Sequence, residues 1–377
     1  MNNIFLKDMA YRRTRVVLTA IGITVLILLI LFLGGIMNGM RIQATQYVKS
    51  TGADIWISAE GSGGAFIGFS MLIEEHMGQL NAARGLEPHS ASPLVFAQAR
   101  PIIRGKPSKA IVVGFRPGKL GGPTHVLEGR MFEKSEFEDY SPEYVPPLQV
   151  VVDEKMGLEI GERIVIGGKE LKVVGKVKSL MFVLDTPLLF MEIRTAQDVL
   201  LGSYPRVNMM IAKSSERVSP EQVAKQFEYS PLKIEVRTLQ QTIDDIIDYY
   251  VVSPMRAVTF LRVMLWLAAG ILVGMITYVT TLEKTQEIGV LKAIGASNMY
   301  VMQLILKQVV LISIIGVLCG LILSFIFAAV APIFVSIHLL ESIIVAVISF
   351  FVCCFSGYLA ARKAVAVDPM LAFRGEI

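Results

Sequence analysis

The stretch VVLTAIGITVLILLILFLGGIMNGM, residues 16–40, runs for 25 residues without a charged side chain. A helix of about 20 apolar residues is long enough to cross the hydrocarbon core of a bilayer. Three more uncharged runs follow at residues 263–282, 308–340 and 342–361. The 377-residue chain is 53% hydrophobic and 18% charged, with a mean hydropathy of +0.58. These values argue against an ordinary soluble enzyme and predict a membrane protein.

The lengths of the runs indicate how many spans they form. The first run exceeds the roughly 7–15 residues of a signal-peptide core, which favours an uncleaved anchor. Residues 308–340 are too long for one span, and Pro332 marks the expected turn. The third and fourth spans are therefore predicted to form a helical hairpin. Glu341 is expected in its outer connection, because a carboxylate inside a membrane is costly.

The charges of the short flanking segments predict the orientation. The segments before the first run, between the second and third, and after the fourth contain 10 Lys/Arg and 5 Asp/Glu. Short loops rich in Lys and Arg stay in the cytoplasm, so both termini are predicted to be cytoplasmic. Residues 41–262 are then extracytoplasmic. They contain equal numbers of acidic and basic residues, 26 each, so no basic patch indicates a nucleic-acid partner.

These observations predict a membrane α-helical fold with four transmembrane helices and a large α+β extracytoplasmic domain inserted between helices 1 and 2. The predicted segments are a cytoplasmic amphipathic helix (1–15), transmembrane helix 1 (16–40), the α+β domain with stalk helices (41–262), transmembrane helix 2 (263–282), a cytoplasmic loop (283–307), transmembrane helix 3 (308–334), transmembrane helix 4 (342–361) and a cytoplasmic tail (362–377).

Local patterns predict elements inside the inserted segment. Alternating or β-branched residues predict strands at 53–60, 94–103, 109–115, 148–153, 163–166, 170–177 and 187–191. Helical spacing predicts helices at 70–83, 196–201 and 220–227. Thr238 and Gln241 have the spacing of a capping box and predict a second stalk helix. Pro254 is expected to kink or end that helix just above the bilayer.

The most informative loop reads TLEKTQEIGVLKAIGAS, residues 281–297. Its apolar residues predict a short helix, Gly295 predicts its stop, and Ser297 is able to cap the helix that follows. No G-x-x-x-x-G-K-[ST] motif occurs in the chain, so no P-loop for ATP is predicted. Neither a metal site nor a directly bound cofactor is predicted.

The loop resembles the cytoplasmic coupling helix of the FtsX-like, or MacB-type, permease family of ABC transporters (type VII). The N-terminal LKDMAYRRTRVVLTAIGITV, the stretch at 150–177 and the C-terminal ARKAVAVDPMLAFRGEI also look like this family, with Phe373 where Leu is usual. The resemblance covers essentially the whole chain. The nearest subgroup looks like the DevC and HrtB-like exporters.

The resemblance implies a bacterial inner-membrane permease that functions as a homodimer, or as one of two paired half-permeases, with two copies of a separate ABC ATPase subunit. ATP and Mg²⁺ would bind to that ATPase, and membrane lipids surround the spans. Stalks would transmit the closure of the ATPases to the extracytoplasmic domains. A periplasmic adaptor and an outer-membrane channel are left open as further partners.

The resemblance also assigns roles to residues of the loop. Ile288, Leu291 and Ile294 are expected to form an exposed apolar ridge that contacts the ATPase. Gly289 and Ala293 would allow close approach, and Gly295 ends the helix. Glu283, Glu287 and Lys292 would supply polar contacts at the rim. The alternative is an ordinary amphipathic helix packed on the spans.

Family substrates tend to be amphiphiles. Met37, Met40, Tyr249, Tyr250 and Met255 are candidate residues of a pliable apolar wall for such a substrate. The alternative is stalk packing with an interfacial aromatic belt. Other functions left open are a mechanotransmitter like FtsX, which activates an extracytoplasmic hydrolase, and a lipoprotein-releasing permease like LolC or LolE.

Overall fold

The computed structural model describes residues 13–74, 76–81, 83–137, 147–178, 180–202, 204–228 and 232–365. It divides into two compact units, which we call the membrane unit (Met1–Gly39 with Pro254–Ile377) and the inserted domain (Met40–Ser253). The amphipathic helix predicted at 1–15 and the tail predicted at 362–377 lie largely outside the described residues.

The helices are α1 (Arg13–Ser50), α2 (His76–Asn81), α3 (Ile193–Leu201), α4 (Pro220–Gln226), α5 (Leu239–Ile247), α6 (Ser253–Glu283), α7 (Thr285–Ala293), α8 (Asn298–Val330) and α9 (Leu339–Val365). The strands are β1 (Ile55–Ala59), β2 (Leu72–Ile73), β3 (Ser92–Ala99), β4 (Ile102–Ile103), β5 (Lys106–Pro107), β6 (Ala110–Phe115), β7 (Glu128–Gly129), β8 (Gln149–Asp153), β9 (Arg163–Ile166), β10 (Lys169–Val177), β11 (Met181–Phe182), β12 (Thr186–Glu192), β13 (Arg206–Val207), β14 (Met209–Ala212) and β15 (Ile234–Thr238).

The inserted domain is built on one mixed sheet. Its strand order is β15-β1-β14-β3-β6-β12-β8-β10-β9-β4-β5, with β11 paired to β12 and β7 paired to β10. The pairs β6/β12 and β8/β10 are parallel, and the other neighbours are antiparallel. β2 and β13 form a separate two-stranded sheet.

Both faces of the sheet are covered by a hydrophobic core. Successive side chains of a strand point to opposite faces, so neighbouring residues join different cores. Ile55 and Ile57 join a core that includes side chains of α2, α3 and α4. Trp56, between them, joins a second core that includes side chains from the C-terminal end of α1 and from α5. The α+β prediction for this domain is confirmed. The helix predicted at 70–83 is wrong in part, since its first turns form β2, which pairs with β13.

The helix ends of the inserted domain follow the local sequence, except near Pro254. Thr238 and Gln241 form the predicted capping box at the start of α5. α1 ends at Ser50, and Gly52 has a φ of +71°, a left-handed conformation that glycine adopts without strain. α5 does not end near Pro254: a π-helical turn, Asp248–Val252, connects it to α6. Proline within a helix removes a backbone donor, and such turns accommodate the change.

Within the described residues, four helical segments are long and apolar enough to cross a membrane: Arg13–Ser50, Leu239–Glu283, Asn298–Val330 and Leu339–Lys363. The third begins ten residues before residue 308, so the second half of the predicted loop 283–307 is helical. It ends at Val330, two residues before Pro332.

Close packing of α1 on α8 depends on two glycines. A Cβ at Gly316 would lie 2.7 Å from Cβ of Ile23, and one at Gly320 would lie 2.8 Å from Cβ of Ile27. The hydroxyl of Thr24 donates to the carbonyl of Gly316 at 3.2 Å. Small residues spaced four apart let helix backbones approach closely in membranes.

We expect Gly316→Leu to destabilise the membrane unit by about 1–3 kcal/mol, because the added side chain meets Ile23. The measurement is the fraction of purified chain that remains soluble and monodisperse in detergent after heating. Cys319→Leu places the same leucine side chain at an exposed position of the same helix and is the control. Equal melting of the two variants would contradict the packing described.

Glu192 is a buried carboxylate of the inserted domain, 4% exposed. It caps α3 by accepting from the backbone N–H of Arg194 at 2.7 Å and of Thr195 at 3.2 Å. Burial raises the pKa of Glu192 above its ordinary value, although these two backbone hydrogen bonds act in the opposite direction. The folded domain therefore binds this proton more tightly than the unfolded chain does.

The stability of the inserted domain should consequently fall as pH rises through the interval between the unfolded and the raised folded pKa of Glu192. Glu192→Gln should reduce this slope, since an amide does not titrate and still offers an oxygen to the helix. The slope is measured from thermal unfolding at several pH values, followed by the fluorescence emission of the buried Trp56 in a Trp266→Phe background. The same slope in Glu192→Gln and the parent would contradict this account.

Candidate functional site

The loop between the second and third spans forms a short helix with defined ends. α7 ends in a Schellman motif: the N–H of Ala296 donates to Leu291 O at 2.9 Å and that of Gly295 to Lys292 O at 3.0 Å. Gly295 has a φ of +98°. The hydroxyl of Ser297 accepts from the N–H of Tyr300 at 3.2 Å and caps α8. The predicted helix, glycine stop and serine cap are confirmed.

One side of α7 is packed against the membrane unit. Ile288 is 8% exposed and forms a small core with Val301 and Ile305 of α8 and Val365 of α9. Gly289 is also buried, and Leu291 is half-buried. The prediction of an exposed ridge is therefore wrong for Ile288. Residues three apart on a helix are rotated by about 300°, so a ridge at i, i+3 and i+6 drifts around the helix.

The opposite side of α7 is exposed and partly apolar. Val290 is 56% exposed and Ile294, just beyond the last turn, is 78% exposed. Glu287 and Ala293 are exposed beside them. We call Val290 and Ile294 the α7 outer face. Val290 was missed in the sequence because nothing local distinguishes it from Leu291.

Two of the predicted rim charges have partners within the membrane unit. Glu283 accepts from Arg15 of α1 through both oxygens, at 2.5 and 2.7 Å. Lys292 donates to the carbonyl of Val365 near the C-terminal end of α9 at 3.0 Å, where a cation is favoured by the helix dipole. α7 is thus connected to α9 by the side chain of Lys292 and to α6 and α8 by the chain itself, while the Arg15–Glu283 pair joins α1 to the end of α6 just before α7.

A cavity of about 160 Å³ lies behind α7, among α1, α6, α7 and α8. Ile288 and Leu291 form part of its wall, together with Thr277 of α6 and Ile305 of α8. The packed side of α7 therefore does not fill the space behind it completely.

Polar side chains also meet at the other end of the membrane unit. Glu341 lies in the first turn of α9 and not in the connection before it. Its carboxylate accepts from Asn38 of α1 at 2.6 Å and from both terminal nitrogens of Arg262 of α6 at 3.3 Å. Gly39 allows the carbonyl of Phe334 to approach α1, since a Cβ there would overlap it.

The candidate substrate-lining residues fall in both units. In the membrane unit, Met37 is 7% exposed and Met255 36% exposed. In the inserted domain, Met40 is 7% exposed and Tyr249 54% exposed. Tyr250 packs on Tyr249 with ring centroids 4.9 Å apart, and its hydroxyl donates to Phe66 O at 2.7 Å. Their role with a substrate stays a prediction.

Comparison with known proteins identifies the family to which this architecture belongs. A family model described as the MacB-like periplasmic core domain matches residues 16–229, more than half of the chain. A second model, the FtsX-like permease C-terminal, matches residues 259–369 and so includes α7.

A Mycobacterium tuberculosis protein named as an uncharacterised ABC transporter permease is 25% identical over 370 residues, covering 98% of each chain. The hemin transport system permease HrtB of Staphylococcus epidermidis is 23% identical over 237 residues, covering 60% of this chain and 63% of HrtB. The periplasmic region of MacB from Actinobacillus actinomycetemcomitans has a TM-score of 0.39 and 14% identity, covering 53% of this chain and 95% of that structure. By its two family matches, this chain belongs to the MacB- and FtsX-like family of ABC transporter permeases.

Proposed function

We propose that the chain docks a separate ABC ATPase on the α7 outer face and uses the ATP-driven closure of that partner to export an amphiphilic or hydrophobic substrate. The observation that carries the proposal is the exposure of Val290 in α7, 56%, and of Ile294 just after it, 78%, while the other side of this nine-residue helix is packed. Exposed apolar side chains on a short helix suit a groove on a partner protein.

The connections of α7 support its role as the point where force enters. The pair Arg15–Glu283 joins the start of α1 to the end of α6, and Lys292 binds the end of α9. Displacement of α7 by a partner would act on α1, α6, α8 and α9 together. α1 continues beyond its uncharged run to Ser50, so motion of this helix would reach the inserted domain.

The charge distribution supports a cytoplasmic position for α7. Basic residues lie close to each of the four uncharged runs, at the end that is on the α7 side: Arg15, Lys284, Lys307 and Arg362. Short segments rich in Lys and Arg remain cytoplasmic, where an ATPase would meet them. We propose a dimer of this chain with two ATPase subunits, which would bind ATP and Mg²⁺.

The proposed substrate class rests on the composition of the spans and on the relatives. The four uncharged runs contain no row of ionisable groups such as an aqueous ion path would require. HrtB is named for hemin, an amphiphile of the proposed class. A permease that transmits force without moving a solute would use the same α7 outer face, and an export assay separates the two functions.

Val290→Asp and Ile294→Asp should each weaken capture of the ATPase at least about tenfold, because a carboxylate would replace an apolar contact at the centre of the interface. Both positions are exposed, so the permease itself should fold and insert normally. The measurement is recovery of the co-expressed ABC ATPase with tagged permease from detergent-solubilised membranes, together with export-linked ATP hydrolysis.

Leu127→Asp is the matched control, at a 49% exposed leucine of the inserted domain, and should recover the ATPase fully. Leu291→Asp is a less specific test than these variants, since Leu291 is half-buried and forms part of the cavity wall. Full recovery of the ATPase with both α7 variants would disprove docking on this face.

A further inference from the structure

The cavity behind α7 is lined mainly by apolar side chains, with threonines of α1 and α6 among them and charged groups at one end. Ile23, Val273, Val309 and Ile312 line it and are each no more than 8% exposed. Lys284 and Glu287, also in the lining, lie where α6 gives way to α7. This change from apolar to charged lining along the cavity matches the change in polarity along an amphiphile.

The position of the cavity along the helices indicates what surrounds it. Its α1 residues, Thr19 and Ile23, follow Arg15 by one to two turns. Its α8 residues begin at Val301, before Lys307, and continue past Lys307 to Ser313. Charged residues at span ends lie at headgroup level, so the apolar part of the cavity lies at the depth of the acyl chains in the adjoining leaflet.

The size of the cavity suits an alkyl segment. An apolar cavity of about 150 Å³ in a soluble protein accepts benzene, so about 160 Å³ holds roughly six carbon atoms. Leaving such a space empty would cost the wall its dispersion contacts. Lipid chains are the apolar molecules present at that depth.

We propose that the cavity binds part of one acyl chain of a phospholipid from the leaflet on the α7 side, with the phosphate near Lys284. Because Ile288 and Leu291 belong to the wall, the bound chain would set how closely α7 packs on α6 and α8. This site is distinct from the α7 outer face and does not depend on the proposed function.

Photo-crosslinking of the full chain in lipid nanodiscs tests this inference. The probe is phosphatidylcholine with a diazirine in the middle of one acyl chain, and adducts are mapped by peptide mass spectrometry. We expect adducts on wall residues such as Thr277, Ile305 and Gln308. Thr277→Phe should reduce them at least fivefold by filling the cavity.

Met275→Phe is the matched control, since Met275 is 67% exposed on the same helix and lies outside the cavity lining. It should leave the wall adducts unchanged. If Thr277→Phe does not fold, Ile305→Phe at the half-buried part of the wall provides the same test. Adducts confined to exposed positions such as Met275 and Ile314, or wall adducts unchanged by filling, would overturn the proposal. The assay contains no ATPase, so its result is independent of docking on α7.

Discussion

The contact of Ile288 with Val301 and Val365 determines how the rest of the site is arranged. It fixes the rotation of α7 about its axis, and that rotation decides which side chains face outward. With Ile288 inside, Leu291 turns toward the cavity while Val290 and Ile294 remain exposed. The hydrogen bond from Lys292 to Val365 O supports the same rotation from the neighbouring turn. The buried contact of Ile288 and the hydrogen bond of Lys292 therefore leave one defined face of α7 exposed.

The membrane unit around this anchor combines close packing with limited free space. Gly316 and Gly320 bring α8 against α1, where an added methyl group would overlap Ile23 or Ile27. Polar contacts join helices at both ends: Arg15 with Glu283 at one, and Asn38 and Arg262 with Glu341 at the other. Unsatisfied polar groups are costly in hydrocarbon, so such pairs favour one arrangement of the helices. The cavity behind α7 is a part of this unit where packing is incomplete.

The sequence predicted those features that depend on neighbouring residues. Uncharged runs indicated the four spans, Gly295 and Ser297 indicated the ends of α7 and α8, and Thr238 with Gln241 indicated the start of α5. It did not predict features set by distant residues. The rotation of α7 depends on Val365, 77 positions after Ile288, and β2 depends on pairing with β13. The contact of Gly316 with Ile23 likewise joins helices almost 300 residues apart, and the spacing of the two glycines alone does not identify the partner helix.

The most direct test of the account is the accessibility of the α7 outer face from each side of the membrane. A single cysteine at position 290, Val290→Cys, in a chain with Cys319, Cys353 and Cys354 replaced by Ala, would be treated with a membrane-impermeant maleimide. The account predicts labelling in inside-out vesicles, little labelling in right-side-out vesicles, and protection of the cysteine when the ABC ATPase is bound. Labelling from the outer side, or equal labelling with and without bound ATPase, would contradict it.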